Sequence, residues 1–210
     1  MKPYFVKTPK IIDWVYPNFL WRIKTTDKKI FLTFDDGPTP KITPWALEQL
    51  QKYNAKATFF CVGNRLQKHP EIAAQLLTNG HKIGNHTFNH EHGRLTDADV
   101  YIQSVIETQK VLVQYGVEEK IFRPPYGRIT AQKAKMLRQL GYKFVMWTVL
   151  SADFDRKISA EMCYKNVTDN TSYGSIIVFH DSEKAFPLLK ATLPKILEYY
   201  HNKGYEFCRL

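Results

Sequence analysis

Short apolar runs alternate with amphipathic stretches along most of the chain. Apolar, β-branched and aromatic residues concentrate at 29–34, 57–62, 81–86, 121–123, 143–149, 175–180 and 205–209, and runs of this length and composition predict seven strands. Helical periodicity fills the gaps between them. Thr43-Pro44 offers an N-cap and an N1 proline to a helix ending near Asn54, and His69-Pro70 opens another through Leu77 that stops at Asn79-Gly80. Residues 96–115 place Ile102, Val105, Ile106 and Leu112 on one helical face. Further helices are predicted over 130–140 and 159–170, and a last helical stretch before the seventh strand is expected to break or kink at Pro194.

Continuous apolar strands joined by helices imply an α/β fold: a parallel sheet covered on its outer face, either open and doubly wound or closed as a barrel. Spacing alone leaves both open. In either architecture ligands gather beyond the carboxyl ends of the strands, where the βα loops converge.

Composition narrows the function classes. With 44% hydrophobic residues over 210 positions, the chain is not disordered and fits either one large α/β domain or two small ones, of which one domain is the expectation. No apolar run approaches the roughly 18 residues of a transmembrane helix. Residues 1–25 carry aromatics and lysines but no uninterrupted apolar core and no small-residue cleavage site, so no secretory signal is readable. The expected location therefore leans to the cytoplasm or to non-classical export. Cys61, Cys163 and Cys208 lie far apart and form no CxxC, which reads as reduced thiols. The net charge of +10 comes from dispersed rather than clustered Lys and Arg, so nucleic acid is not an expected partner. Within residues 1–28, Ile11, Ile12, Val15, Phe19 and Leu20 fall near helical spacing, interrupted by Pro17. This segment is expected to pack on the barrel that begins at residue 29 and cover its bottom, in preference to a membrane-surface role.

The strand ends carry the candidate chemistry. After the first strand, Asp35 and Asp36 sit side by side in a Gly-Pro turn, and neighbouring carboxylates repel unless a cation or a base separates their roles. After the third strand come His86 and His90 at i, i+4, with His92 a weaker competitor. Two imidazoles and one of Asp35 or Asp36 meet the three-ligand count of a hydrolytic zinc site with one open position. After the fourth strand, prolines stiffen a loop carrying Arg123 and exposing backbone amides near Tyr126, a guanidinium for the carboxylate off the metal and a donor for an oxyanion. Asp153-Phe154-Asp155 follows the fifth strand and His180-Asp181 ends the sixth.

TFDDGP at 33–38, HTFNH at 86–90, RPPYG at 123–127 and IIVFHD at 176–181 resemble, in order and approximate spacing, the motifs of the polysaccharide deacetylase family, the NodB-homology carbohydrate esterases of family 4. The resemblance covers the catalytic domain expected over 29–210. It implies a single distorted (β/α) barrel of about seven parallel strands and metal-dependent removal of N-acetyl groups from N-acetylglucosamine-containing glycans of peptidoglycan or chitin type. It also implies one divalent ion, usually zinc, on Asp36, His86 and His90, with Asp35 as general base oriented by Arg123. The Tyr126 amide would hold the oxyanion, and His180 would be the general acid supported by Asp153. WTVLSADF at 147–154 departs from the family pattern, placing Leu150 and Phe154 where a carboxylate and an indole are usual, so the groove wall at Phe154 and the packing around His180 differ. The alternatives are a catalytically silent glycan-binding module and a deacylase of O-acetyl or small cyclic amide substrates. A monomer is expected.

Overall fold

The computed structural model describes residues 4–210. Nine strands form one sheet: β1 Phe19–Leu20, β2 Lys29–Asp35, β3 Thr58–Cys61, β4 Lys82–Asn85, β5 Ile121–Phe122, β6 Lys143–Val145, β7 Val149–Leu150, β8 Ile176–His180 and β9 Glu206–Cys208. The helices are α1 Ile11–Val15, α2 Ile42–Gln51, α3 Gly63–Lys68, α4 Pro70–Thr78, α5 Ala98–Gln114, α6 Ala131–Gln139, α7 Ala160–Thr168 and α8 Phe186–Asn202.

The sheet runs β1-β6-β5-β4-β3-β2-β8-β7 with β9 beside β2, and every ladder is parallel. β6 and β7 belong to opposite ends of that order, yet only Met146, Trp147 and Thr148 separate them in sequence. A link of that length spans at most about 14 Å, so the sheet must curl until its ends meet. The result is the distorted barrel.

The N-terminal segment stitches the seam. β1 pairs with β6, Lys7 bridges Val149 on β7, and the Thr8 and Leu150 amides donate to Thr148 and Val6 carbonyls at 2.8 Å each. This segment was expected to cover the barrel's bottom. It instead lines the groove at the carboxyl ends of the strands, through Tyr4, Phe5, Thr8, Pro9, Ile12, Tyr16 and Trp21.

Alternation along β2 separates two cores. Ile30, Leu32 and Phe34 face the helices, where Phe34 stacks on Phe59 at 4.8 Å between ring centres. Phe31, Thr33 and Asp35 take the opposite face; Phe31 joins Phe60, Ile121, Val145 and Ile176 inside the barrel. Period two along one strand therefore sends Asp35 inward at the mouth of that interior.

Three local expectations are corrected. The apolar run at 143–149 is two strands, because 146–148 crosses the seam. Pro194 lies within the continuous helix α8, whose Leu193, Ile196 and Leu197 are fully buried against the sheet; that packing outweighs the loss of one helical hydrogen bond. Helix α2 begins at Ile42 with Lys41, not Thr43, at the cap position. The Thr43 hydroxyl instead donates to Asp181.

Candidate active site

Strand ends β2, β4, β5 and β8 deliver the motif residues to one groove of about 1470 Å³, whose lining includes Asp35, Asp36, His86, His90, Tyr126, Phe154 and His180. The two adjacent carboxylates diverge. Asp36 has φ +83°, a left-handed conformation that swings it away from the strand direction. It lies with His86 and His90: the Asp36 Oδ1 to Nε2 distances are 3.1 Å for His90 and 3.8 Å for His86. One ligand atom from each of the three falls within 4.8 Å of the others.

The donor set fits a divalent cation. His86 is buried and its Nδ1 donates to the Arg123 carbonyl at 2.7 Å, which leaves Nε2 as the lone-pair nitrogen. Burial is the largest influence on this ring and holds its pKa down to about 4, so the imidazole is neutral, as a ligand must be. Burial acts to raise the Asp36 pKa, but the His90 hydrogen bond and the surrounding imidazoles outweigh it and keep the carboxylate ionised. His92 is not part of this group: it stacks on Tyr126 at 5.2 Å and its Nδ1 accepts from the Arg94 amide.

The 86–91 loop owes its shape to helix α5 and strand β4. The Thr87 amide donates to Asn85 Oδ1 at 3.0 Å, the Phe88 amide to Ser104 Oγ at 2.7 Å, and Ser104 in turn to Glu91 at 2.7 Å. Thr87 and His90 both hold positive φ, a local strain that these side-chain bonds sustain.

Asp35 belongs to Arg123. The guanidinium is fully buried above the barrel interior, 4.2 Å from the Phe60 ring centre. Its Nη1 donates at 2.7 Å to both Asp35 Oδ1 and Thr33 Oγ1, its Nε to Val145 O at 3.1 Å and its Nη2 to Met146 O at 2.8 Å. Each bond fixes the cation, and the cation fixes Asp35. Asp35 Oδ2 receives no protein hydrogen bond among the described residues and faces the groove. Thr33 and Phe60 are parts of this device that the sequence reading missed; Thr33 lies two residues before Asp35, hence on the same face.

His180 is paired with Asp153. Its Nδ1 meets Asp153 Oδ1 at 2.7 Å and its amide donates to Oδ2 at 2.8 Å. Burial alone would depress the imidazolium, but Asp153 more than compensates and the pKa is pushed up to about 9. Asp153→Asn removes the charge at constant size, so the alkaline limb of kcat/KM is expected to move to lower pH while the maximum falls. A pH profile checks this; a limb that stays in place would mean another group sets it. The alternatives for Asp153 are occupied elsewhere: Tyr4 donates to Asp155 at 2.5 Å. Asp181 accepts from the Gly37 amide at 3.0 Å and from the Thr43 hydroxyl.

That last pair is a second feature missed in sequence. Buried Asp181 ties the turn after β2 to the end of β8. A Cβ on Gly37 would lie 1.9 Å from Asp181 Oδ2. Gly37→Ala is therefore expected to destabilise the fold by about 1–3 kcal/mol and to lower metal occupancy by displacing Asp36. Thermal unfolding and metal analysis check this, and an unchanged melting temperature with full occupancy would contradict it.

The 123–127 loop turns at Tyr126, φ +59°. The Gly127 and Arg128 amides close the turn on the Pro124 and Pro125 carbonyls, while the Tyr126 amide has no acceptor among the described residues. The Tyr126 ring sits edge-on to His90 at 4.7 Å, and the residue lines the groove that holds the three-ligand group. At the departed motif, buried Leu150 closes the groove floor, and Phe154 packs edge-on against His180 at 5.1 Å.

A parallel barrel that gathers a metal-ligand triad, a clamped carboxylate and a carboxylate-backed imidazole at its strand ends is the architecture of a hydrolase. Comparison with known proteins makes the class specific. The sequence profile of the polysaccharide deacetylase family matches residues 22–145. A peptidoglycan-N-acetylglucosamine deacetylase of Bacillus cereus is 34% identical over 188 residues, covering 89% of this chain and 88% of that protein. A chitooligosaccharide deacetylase of Azorhizobium caulinodans is 34% identical over 162 residues, covering 76% of this chain and 77% of that protein. The fold is similar to the crystal structure of a peptidoglycan N-acetylglucosamine deacetylase in complex with 4-naphthalen-1-yl-N-oxidanyl-benzamide, with a TM-score of 0.88, 32% identity, and coverage of 97% and 95% of the two chains. The chain belongs to the polysaccharide deacetylase family.

Proposed function

We propose that the protein hydrolyses the acetamide of N-acetylglucosamine residues within a glycan, releasing acetate and leaving a free amine. The observation that carries this reading is the meeting, in one groove, of the Asp36, His86 and His90 group with the Asp35–Arg123 and His180–Asp153 pairs. Amide hydrolysis needs a base, an electrophilic clamp and an acid, and the three clusters match those needs one to one.

Two imidazoles and a carboxylate with an open position suit zinc. When bound, such an ion supplies Lewis-acid polarisation of the carbonyl and lowers the pKa of attacking water. Asp35 accepts the proton of that water through its free Oδ2. The Tyr126 amide donates to the oxygen that gains charge as the carbonyl carbon becomes tetrahedral. His180, with Asp153 on Nδ1, presents Nε2–H to the nitrogen and protonates it as the C–N bond breaks. Phe154 holds the ring edge-on and shields it from water on that side.

Among glycans, peptidoglycan stands first. Arg65, Lys68, Arg128, Arg156 and Lys184 line the groove, and none forms an ion pair among the described residues. A glycan carrying carboxylates beside its N-acetylglucosamine units gains from that field; the Bacillus relative and the solved structure bear peptidoglycan in their names. A mass-spectrometric screen of peptidoglycan fragments and chitin oligomers tests the reading. The expected product has lost the mass difference between an acetyl group and hydrogen at an N-acetylglucosamine residue. Loss only from O-acetyl esters or cyclic amides, or none from any glycan, would overturn it.

A further inference from the structure

Residues 4–21 lie outside the span matched by the family profile, which begins at residue 22, yet they supply a long wall of the groove. Two features of this wall are unusual for a protein surface. Phe5 is 77% exposed and Tyr16 51% exposed, and both line the groove. Helix α1 between them buries no residue. Large apolar side chains left in water at a groove edge mark a binding surface.

The wall is braced, which a surface that must be ready for a ligand requires. Arg22 Nε pairs with Asp13 at 2.7 Å, holding α1 down on the seam. Trp21 Nε1 donates to the Tyr16 carbonyl at 3.3 Å, and the Tyr16 ring stacks on Phe19 at 5.9 Å, itself stacked on Phe144 of β6 at 4.7 Å. At the other end, Tyr4 packs edge-on to Phe154 at 5.6 Å, so Phe5 follows directly on a residue anchored beside His180. The wall thus reaches from the His180 side of the groove to the Trp21 side.

The groove volume of about 1470 Å³ exceeds the roughly 300–1,000 Å³ that suits a single drug-sized ligand. Room therefore remains on either side of one reacting sugar, and the wall is continuous with the reacting centre. A pyranose ring has a C–H face and a hydroxyl rim. Aromatic faces carry negative quadrupole charge and meet such C–H faces well.

We propose that Phe5 and Tyr16 form sugar-stacking positions for the residues flanking the one deacetylated, making the N-terminal segment a chain-length selector. This rests on the reading that the substrate is an N-acetylglucosamine glycan. Binding energy from sugars remote from the reaction is used at the reacting centre, so kcat/KM rises with oligomer length.

The test compares kcat/KM on the N-acetylglucosamine hexamer and dimer for the parent, the Phe5→Ala/Tyr16→Ala double variant and Trp14→Ala. Trp14 is 81% exposed on α1 but does not line the groove. The hexamer-to-dimer ratio is expected to fall about tenfold in the double variant, to stay at the parent value in Trp14→Ala, and to recover in Phe5→Tyr/Tyr16→Phe. A double variant that melts like the parent but keeps the parent ratio overturns the proposal, as does an equal loss in Trp14→Ala. Hexamer binding, measured calorimetrically on Asp35→Asn protein with and without the double substitution, needs no turnover. A Kd raised about tenfold by the double substitution, where the parent protein releases no acetate from the hexamer, would keep the stacking wall and remove the deacetylase reading. Acetate release with an unchanged Kd would do the reverse.

Discussion

Asp35→Asn protein is expected to keep its metal and its fold while kcat falls about a thousandfold, the loss of a general base. Asparagine retains an oxygen able to accept from Arg123, so the 2.7 Å contact and the buried guanidinium's other three bonds survive. What disappears is the basic Oδ2 facing the groove. The reaction would then proceed only through polarisation and binding. Steady-state kinetics alongside metal analysis separates the two carboxylates: Asp36→Ala should lose ion and activity together. An Asp35→Asn protein that loses its metal, beside an Asp36→Ala protein that keeps its metal but not its activity, would mean that the roles of the neighbours are exchanged.

His86→Ala and His90→Ala are each expected to reduce metal content from about one ion per chain to a small fraction of that, and turnover with it. The two should differ in stability. His86 is buried, and its Nδ1 satisfies the Arg123 carbonyl, so its removal leaves an unpaired acceptor and a cavity, a cost of about 2–5 kcal/mol. His90 is partly exposed, and its loss should lower the melting temperature of metal-free protein much less. Equal melting temperatures for the two apo variants would contradict the buried geometry.

Much of this site was legible because period-two alternation and strand ends are local properties. The runs that became β2, β3, β4, β5, β8 and β9 are each bounded by turn residues, and the motif residues sit at or just past the ends of β2, β4, β5 and β8. The family resemblance then separated Asp35 from Asp36, which repulsion between neighbours alone could not. What stayed hidden depends on contacts between distant segments. Gly37 and Asp181 are 144 positions apart and Tyr4 and Asp155 are 151 apart. No local pattern in a strand or turn encodes either contact. The division of 143–149 was invisible because Met146 is buried like a strand residue and Trp147 packs on the barrel interior, while the chain there crosses between sheet ends. β1, two residues long, has no measurable period. The wall at Tyr4 to Trp21 read as a cover for the barrel's far end because its apolar spacing says that it packs, not where.

The most direct test of the account is zinc add-back to chelator-stripped protein, with acetate release from an N-acetylglucosamine oligomer as the readout. The geometry of Asp36, His86 and His90 predicts that stripping abolishes release and that activity returns linearly until one ion is bound per chain. Full acetate release from protein verified to be free of metal would contradict it.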